Sequence, residues 1–146
     1  MRDVEEVEIL LAEDSVTDAE VTQRALTKAN IVNPLLWVKD GAEALDFLHG
    51  RGRFSGRACA KLRLVLLDLK MPKVDGLEVL REIRATPALQ TLPVVILTSS
   101  SEESDVVRSY ALGVNSYIVK PVESQRIFDE VARLGYYWLI MNRPPS

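Results

Sequence analysis

Thiols and imidazoles are almost missing from this chain. A single cysteine, Cys59, among 146 residues excludes an internal disulfide framework and suits a reducing cytoplasm. A single histidine, His49, excludes a metal centre built from several imidazoles. No apolar run reaches the roughly 18 residues of a membrane span. The start, Met1-Arg2-Asp3-Val4-Glu5-Glu6, lacks the basic-then-apolar order of a secretory signal. A basic excess is also lacking: 18 Lys+Arg against 21 Asp+Glu leave a net charge of -3, which argues against a nucleic-acid module. No repeat, low-complexity tract or long linker divides the chain. The expectation is one complete cytoplasmic domain over 1–146 with no membrane partner. Its 47% hydrophobic content is enough to build a sizeable core.

Short apolar runs alternate with helical spacing. Segment 7–12 is apolar and stops at Glu13-Asp14; 15–29 is amphipathic, with Ser15 as N-cap and Asp18 and Glu20 in the turns where a helix dipole favours anions. A second strand at 34–38 precedes a short helix through Ala42, Ala44, Leu45 and Leu48. Segment 49–61, with Gly50, Gly52 and Gly56 among arginines, reads as a solvated basic loop. Runs at 64–67, 94–97 and 116–119 complete five strands. Pro72 and Gly76 break the chain before a helix carrying Leu77, Val79, Leu80 and Ile83, and further helices follow over 102–112 and from about 123 toward 141. Leu/Val/Ile runs without alternation are what a parallel sheet covered on both faces requires, and right-handed crossovers then divide the helices between the faces.

The chemistry is at the strand ends. The first run stops at Glu13 and Asp14, the third at Asp68, the fourth at Thr98 and the fifth at Lys120. In an open parallel sheet all these ends share one edge, where ligands bind. Two carboxylates about 4.5 Å apart at an effective dielectric near 20 repel by roughly 4 kcal/mol. Three of them need a cation or a proton. Lys120 supplies one charge, and the remaining deficit suits Mg²⁺ rather than a closed Ca²⁺ cage or a zinc site. Asp68, ionised at neutral pH, can attack phosphorus and carry the group as an acyl phosphate. Lys120, the Thr98 hydroxyl and the cation would then each cover an equatorial oxygen.

These residues resemble the receiver domain of two-component response regulators. Glu13-Asp14-Ser15 is similar to the family's acidic pair, and Leu66-Leu67-Asp68-Leu69-Lys70-Met71-Pro72 with Asp75-Gly76 to its phosphoacceptor segment. Leu97-Thr98-Ser99 and Tyr117-Ile118-Val119-Lys120-Pro121 are similar to its switch and Lys-Pro segments. The likeness covers roughly 7–134, leaving a C-terminal extension at 135–146. It implies a flavodoxin-like fold with strand order 2-1-3-4-5. It also implies phosphoryl transfer from a histidine kinase to Asp68. Glu13 (through water), Asp14, Asp68 and the Lys70 carbonyl would hold Mg²⁺, or Mn²⁺ or Ca²⁺ in its place. Thr98 and Ser99 would face the phosphoryl group beside Lys120, and Tyr117 would follow as the switch aromatic. A cis peptide is expected at Pro121. Lys70 and Ser100, flanking the path of a hydrolytic water, would tune the lifetime of the phosphoryl group.

A narrower resemblance joins Ser109-Tyr110-Ala111-Leu112-Gly113-Val114-Asn115-Ser116-Tyr117, the long loop before Leu64 and Tyr137-Trp138-Leu139. It is to phytochrome-associated response regulators, which implies a light-sensing histidine kinase as partner. Tyr136-Tyr137-Trp138-Leu139-Ile140 is apolar or aromatic on every side of a helix, and such a patch marks an interface. A homodimer is expected, with Tyr110, Tyr117, Phe128, Tyr136, Tyr137, Trp138 and Ile140 as candidate contacts. The rival readings are an aspartate-nucleophile phosphohydrolase, a phosphorelay intermediate and a flavin or nucleotide module. Such a hydrolase would place its nucleophile on the first strand. A flavin module would need Gly, Ser or Thr where Glu13 and Asp14 stand.

Overall fold

Short polar side chains start three of the helices. Ser15 Oγ accepts from Asp18 N at 3.2 Å, Asp40 Oδ1 from Glu43 N at 2.8 Å, and Asp75 Oδ1 from Glu78 N at 3.0 Å. Each satisfies an orphan donor of a first helical turn. The computed structural model describes residues 4–56, 59–99 and 102–134. Its strands are β1 (Ile9–Ala12), β2 (Leu35–Val38), β3 (Leu64–Leu67), β4 (Val94–Thr98) and β5 (Ser116–Val119). Its helices are α1 (Val16–Lys28), α2 (Gly41–His49), α3 (Gly76–Ala85), α4 (Glu103–Ala111) and α5 (Ser124–Arg133).

All four strand pairings are parallel, in the order β2-β1-β3-β4-β5. This is the flavodoxin-like arrangement. Successive side chains of each strand enter opposite layers. Leu10, Val65, Leu67, Val94 and Ile96 pack with Leu45, Leu48, Leu80 and Ile83 of α2 and α3. Ile9, Leu11, Leu64, Leu66, Val95 and Leu97 pack with Ala19 and Leu26 of α1 and Ile127 and Val131 of α5. Burial on both faces removes the alternation a one-sided strand would show, which is why these strands read as continuous apolar runs.

Two local expectations change. The 49–61 segment is not wholly solvated: a 3-10 turn, Gly52–Phe54, buries Phe54 edge-on against Phe47 at 5.3 Å, with the Arg53 guanidinium 4.6 Å over its ring. Val7 is buried but precedes the ladder, because Glu8 N and Ile9 N both donate to Pro34 O. The expected final helix ends at Arg133 with Leu134 as its C-cap, the last described residue, so Tyr136, Tyr137, Trp138 and Ile140 fall outside the described residues. Gly76 fixes the start of α3 against the end of β3. A Cβ there would lie 2.2 Å from the Asp68 carbonyl oxygen, and Gly76 N donates to Leu69 O at 2.8 Å.

Candidate functional site

The parallel register carries the chemistry to one edge. Ala12 pairs with Leu67, so the residues that follow, Glu13 and Asp68, emerge side by side; Asp68 N donates to Ala12 O at 2.9 Å. Thr98 ends β4, and Lys120 N donates to its carbonyl at 2.7 Å, which brings Lys120 to the same rim. Carboxylate oxygens of Glu13, Asp14 and Asp68 lie within 4.8 Å of one another. Glu13 and Asp68 are buried and Asp14 is exposed.

Lys120 lies among these acids. Its ammonium is 2.5 Å from Glu13 Oε1, 2.9 Å from Asp18 Oδ2 and 3.4 Å from Asp68 Oδ2. Burial works against its charge, and the surrounding carboxylates outweigh burial, holding it above the usual lysine value. Burial pushes the Glu13 carboxyl up from 4.5 to about 7; Asp68 adds to that rise, against hydrogen bonds from Lys120 and Ser15 N. Three clustered acids with one ammonium therefore still carry an anionic excess. Oxygen donors alone at this spacing fit a hard divalent cation.

The structure brings together Glu13, Asp14, Asp68 and Lys120, with Thr98 buried at the end of β4 on the same edge of the sheet. Lys70 N approaches Asp68 Oδ1 at a long 3.5 Å, and Lys70 and Ser99 are exposed. Ser100 lies outside the described residues. The Lys120-Pro121 peptide is cis. Tyr117 is buried in the core cluster that α2 and α3 cover, so in this conformation it is not exposed to a partner. Tyr110 and Phe128 are both exposed. Tyr110 is near Arg133, whereas Phe128 lines a groove with Lys28, Ala29 and Asn30 at the end of α1.

Two contributors were missed from sequence. Asp18, in sequence terms an anion favoured by the helix dipole, also reaches Lys120 with its carboxylate; its place four residues after Asp14, in the first turn of the helix leaving the acidic loop, is the signal for it. Trp37 Nε1 donates to the Glu13 carbonyl at 2.7 Å and so pins the acidic loop from β2. The apolar pattern of β2 held no sign of that bond. Cys59 donates weakly to Leu48 O at 3.7 Å, and burial raises its thiol, as suits an unreactive side chain.

A family model, the response regulator receiver domain, matches residues 9–132. The chain belongs to this family. The receiver is 41% identical over 140 residues to the probable methanogenesis regulatory protein FilR2 of Methanothrix harundinacea, covering 94% of this chain and 87% of that protein. It is 40% identical over 131 residues to the response regulator Rcp1 of Synechocystis sp., covering 90% and 88%. Rcp1 has been solved in an Mn²⁺-bound form that superposes with a TM-score of 0.75 at 38% identity, over 96% of this chain and 99% of that one. The bacteriophytochrome response regulator RtBRR superposes with a TM-score of 0.85 at 49% identity, over 96% and 84%. Membership makes this receiver a signalling protein of a two-component system rather than a phosphohydrolase. Among the described residues, no helix is long and apolar enough to cross a membrane.

Proposed function

We propose that Asp68 accepts a phosphoryl group from the phosphohistidine of a histidine kinase. The observation that supports this best is the cluster of Glu13, Asp14 and Asp68 carboxylates, with the Lys120 ammonium against Glu13 and Asp68. In the transfer, an Asp68 oxygen forms the new P–O bond in line with the breaking P–N bond. The electron pair goes to the imidazole nitrogen, which takes up a proton. Lys120 neutralises charge on the phosphoryl oxygens, and the Thr98 hydroxyl donates to another. Glu13 (through water), Asp14, Asp68 and the Lys70 carbonyl would hold Mg²⁺, which supplies charge neutralisation at the phosphoryl oxygens when bound. Tyr117, already buried, would fill the space that a shift of Thr98 toward the new oxygens vacates. Lys70 and Ser100 would set access for the hydrolytic water.

The likeness to RtBRR and Rcp1 supports a phytochrome-type kinase as the donor. The exposed Val107, Tyr110 and Val119 on α4 and β5 support a homodimer through that side, with the tail beyond 134 as a further contributor. Incubation with Mg²⁺ and acetyl phosphate tests the acceptor. Intact mass should rise by about 80 daltons in wild type and not in Asp68→Asn. An equal adduct in Asp68→Asn would overturn the assignment.

A further inference from the structure

Lys120 is shared by three carboxylates, and one of them is not part of the acidic cluster. Glu13 and Asp68 belong to that cluster; Asp18 does not, and it comes from the first turn of α1. Its oxygen is nevertheless nearer the ammonium, at 2.9 Å, than the Asp68 oxygen at 3.4 Å. The Asp18 side chain is 43% exposed against 8% for Asp68, so it holds Lys120 from the solvent rim while Asp68 holds it from the interior. Its backbone is fixed independently of this pair, because Asp18 N donates to Ser15 Oγ.

One ammonium has three hydrogens and cannot strengthen every contact at once. A phosphoryl group on Asp68 adds anionic oxygens on the interior side, and Lys120 can serve them fully only by loosening its hold on the rim. We propose, resting on the reading of Asp68 as acceptor, that Asp18 is a positioning residue which competes for the Lys120 ammonium. In this way it weakens the grip of the pocket on the phosphoryl group and shortens the life of the phosphorylated state. Asp18 touches neither the phosphoryl group nor the cation; it acts through Lys120.

The probe is fluoroberyllate, a phosphoryl mimic, titrated by calorimetry in excess Mg²⁺ into wild type, Asp18→Asn, Asp18→Glu, Glu20→Gln and Asp68→Asn. Asp18→Asn should bind the mimic about three- to fivefold more tightly, the scale of a partly exposed ion pair. Its phosphorylated form should lose phosphate more slowly by a similar factor. Asp18→Glu keeps the carboxylate and should stay near wild type. Glu20→Gln removes an exposed charge from the same helix and should change little. Equal or weaker binding by Asp18→Asn, or equal tightening by Glu20→Gln, would overturn the proposal; the second result would mean a general field effect. Failure of the underlying reading has a separate signature, undiminished binding of the mimic to Asp68→Asn.

Discussion

Glu13 is 1% exposed beside Asp68, and its carboxyl is pushed up to about 7, so its charge costs stability when no divalent cation is present. The folded state then binds a proton more tightly than the unfolded chain. The stabilising effect of that proton is full below about 4.5 and is lost as pH rises through about 7. In chelator, wild-type stability from urea unfolding should fall by about 2 kcal/mol between pH 5 and 8. Glu13→Gln should remove most of that fall, and an unchanged slope in the variant would contradict the assignment. The identities of Glu13, Asp14, Asp68, Thr98 and Lys120 were legible because each follows an apolar run whose end the sequence marks. The roles of Asp18 and Trp37 were not, because their partners arrive from elsewhere: Lys120 is 102 residues from Asp18, and Glu13 is 24 from Trp37.

At the scale of elements, the loop from β3 into α3 has no room for a side chain at Gly76. Gly76→Ala places a methyl group 2.2 Å from the Asp68 carbonyl, so the loop must move. The expected cost is about 2 kcal/mol or more in chemical denaturation, together with slower labelling by acetyl phosphate. Edge strand β5 is fastened to α5 by polar bonds. Ser116 Oγ donates to Glu130 Oε1, and Arg126 and Arg133 donate to the Tyr117 and Asn115 carbonyls at 3.3 and 3.2 Å. Burial works to raise the Glu130 carboxyl, but Ser116 and Arg133 together hold it below 4.5. Its stabilisation is therefore present above 4.5 and is lost as pH falls through the lower folded value. Glu130→Gln should cost about 1 kcal/mol at neutral pH, with the gap to wild type closing in acid; a gap that persists in acid would count against this ion pair. Strand and helix order was readable because buried parallel strands are apolar throughout. The Gly52–Phe54 turn was not, because one aromatic in a glycine-rich loop has no period to betray its burial.

For the whole molecule, the shared rim followed from the alternation of elements in a parallel sheet, whereas the strand order was implied by the resemblance to receiver domains. Surface use did not, since Tyr110 on α4 and Phe128 on α5 are both exposed and only Phe128 lines the groove at the end of α1. If copies pair through the α4–β5 side, sedimentation should show a dimer that Tyr110→Asp converts to monomer, with Asp68 still phosphorylated. A dimer that survives Tyr110→Asp unchanged would exclude that surface.

Phosphoryl transfer to Asp68, as proposed, requires carboxylates from separate strands to act as one cation-binding unit beside it. Calorimetric titration of Mg²⁺ into the metal-free protein tests this most directly. One ion should bind per chain, with affinity reduced at least about tenfold in Asp14→Asn and in Asp68→Asn. Absence of heat in wild type, or equal affinity in all three proteins, would contradict it.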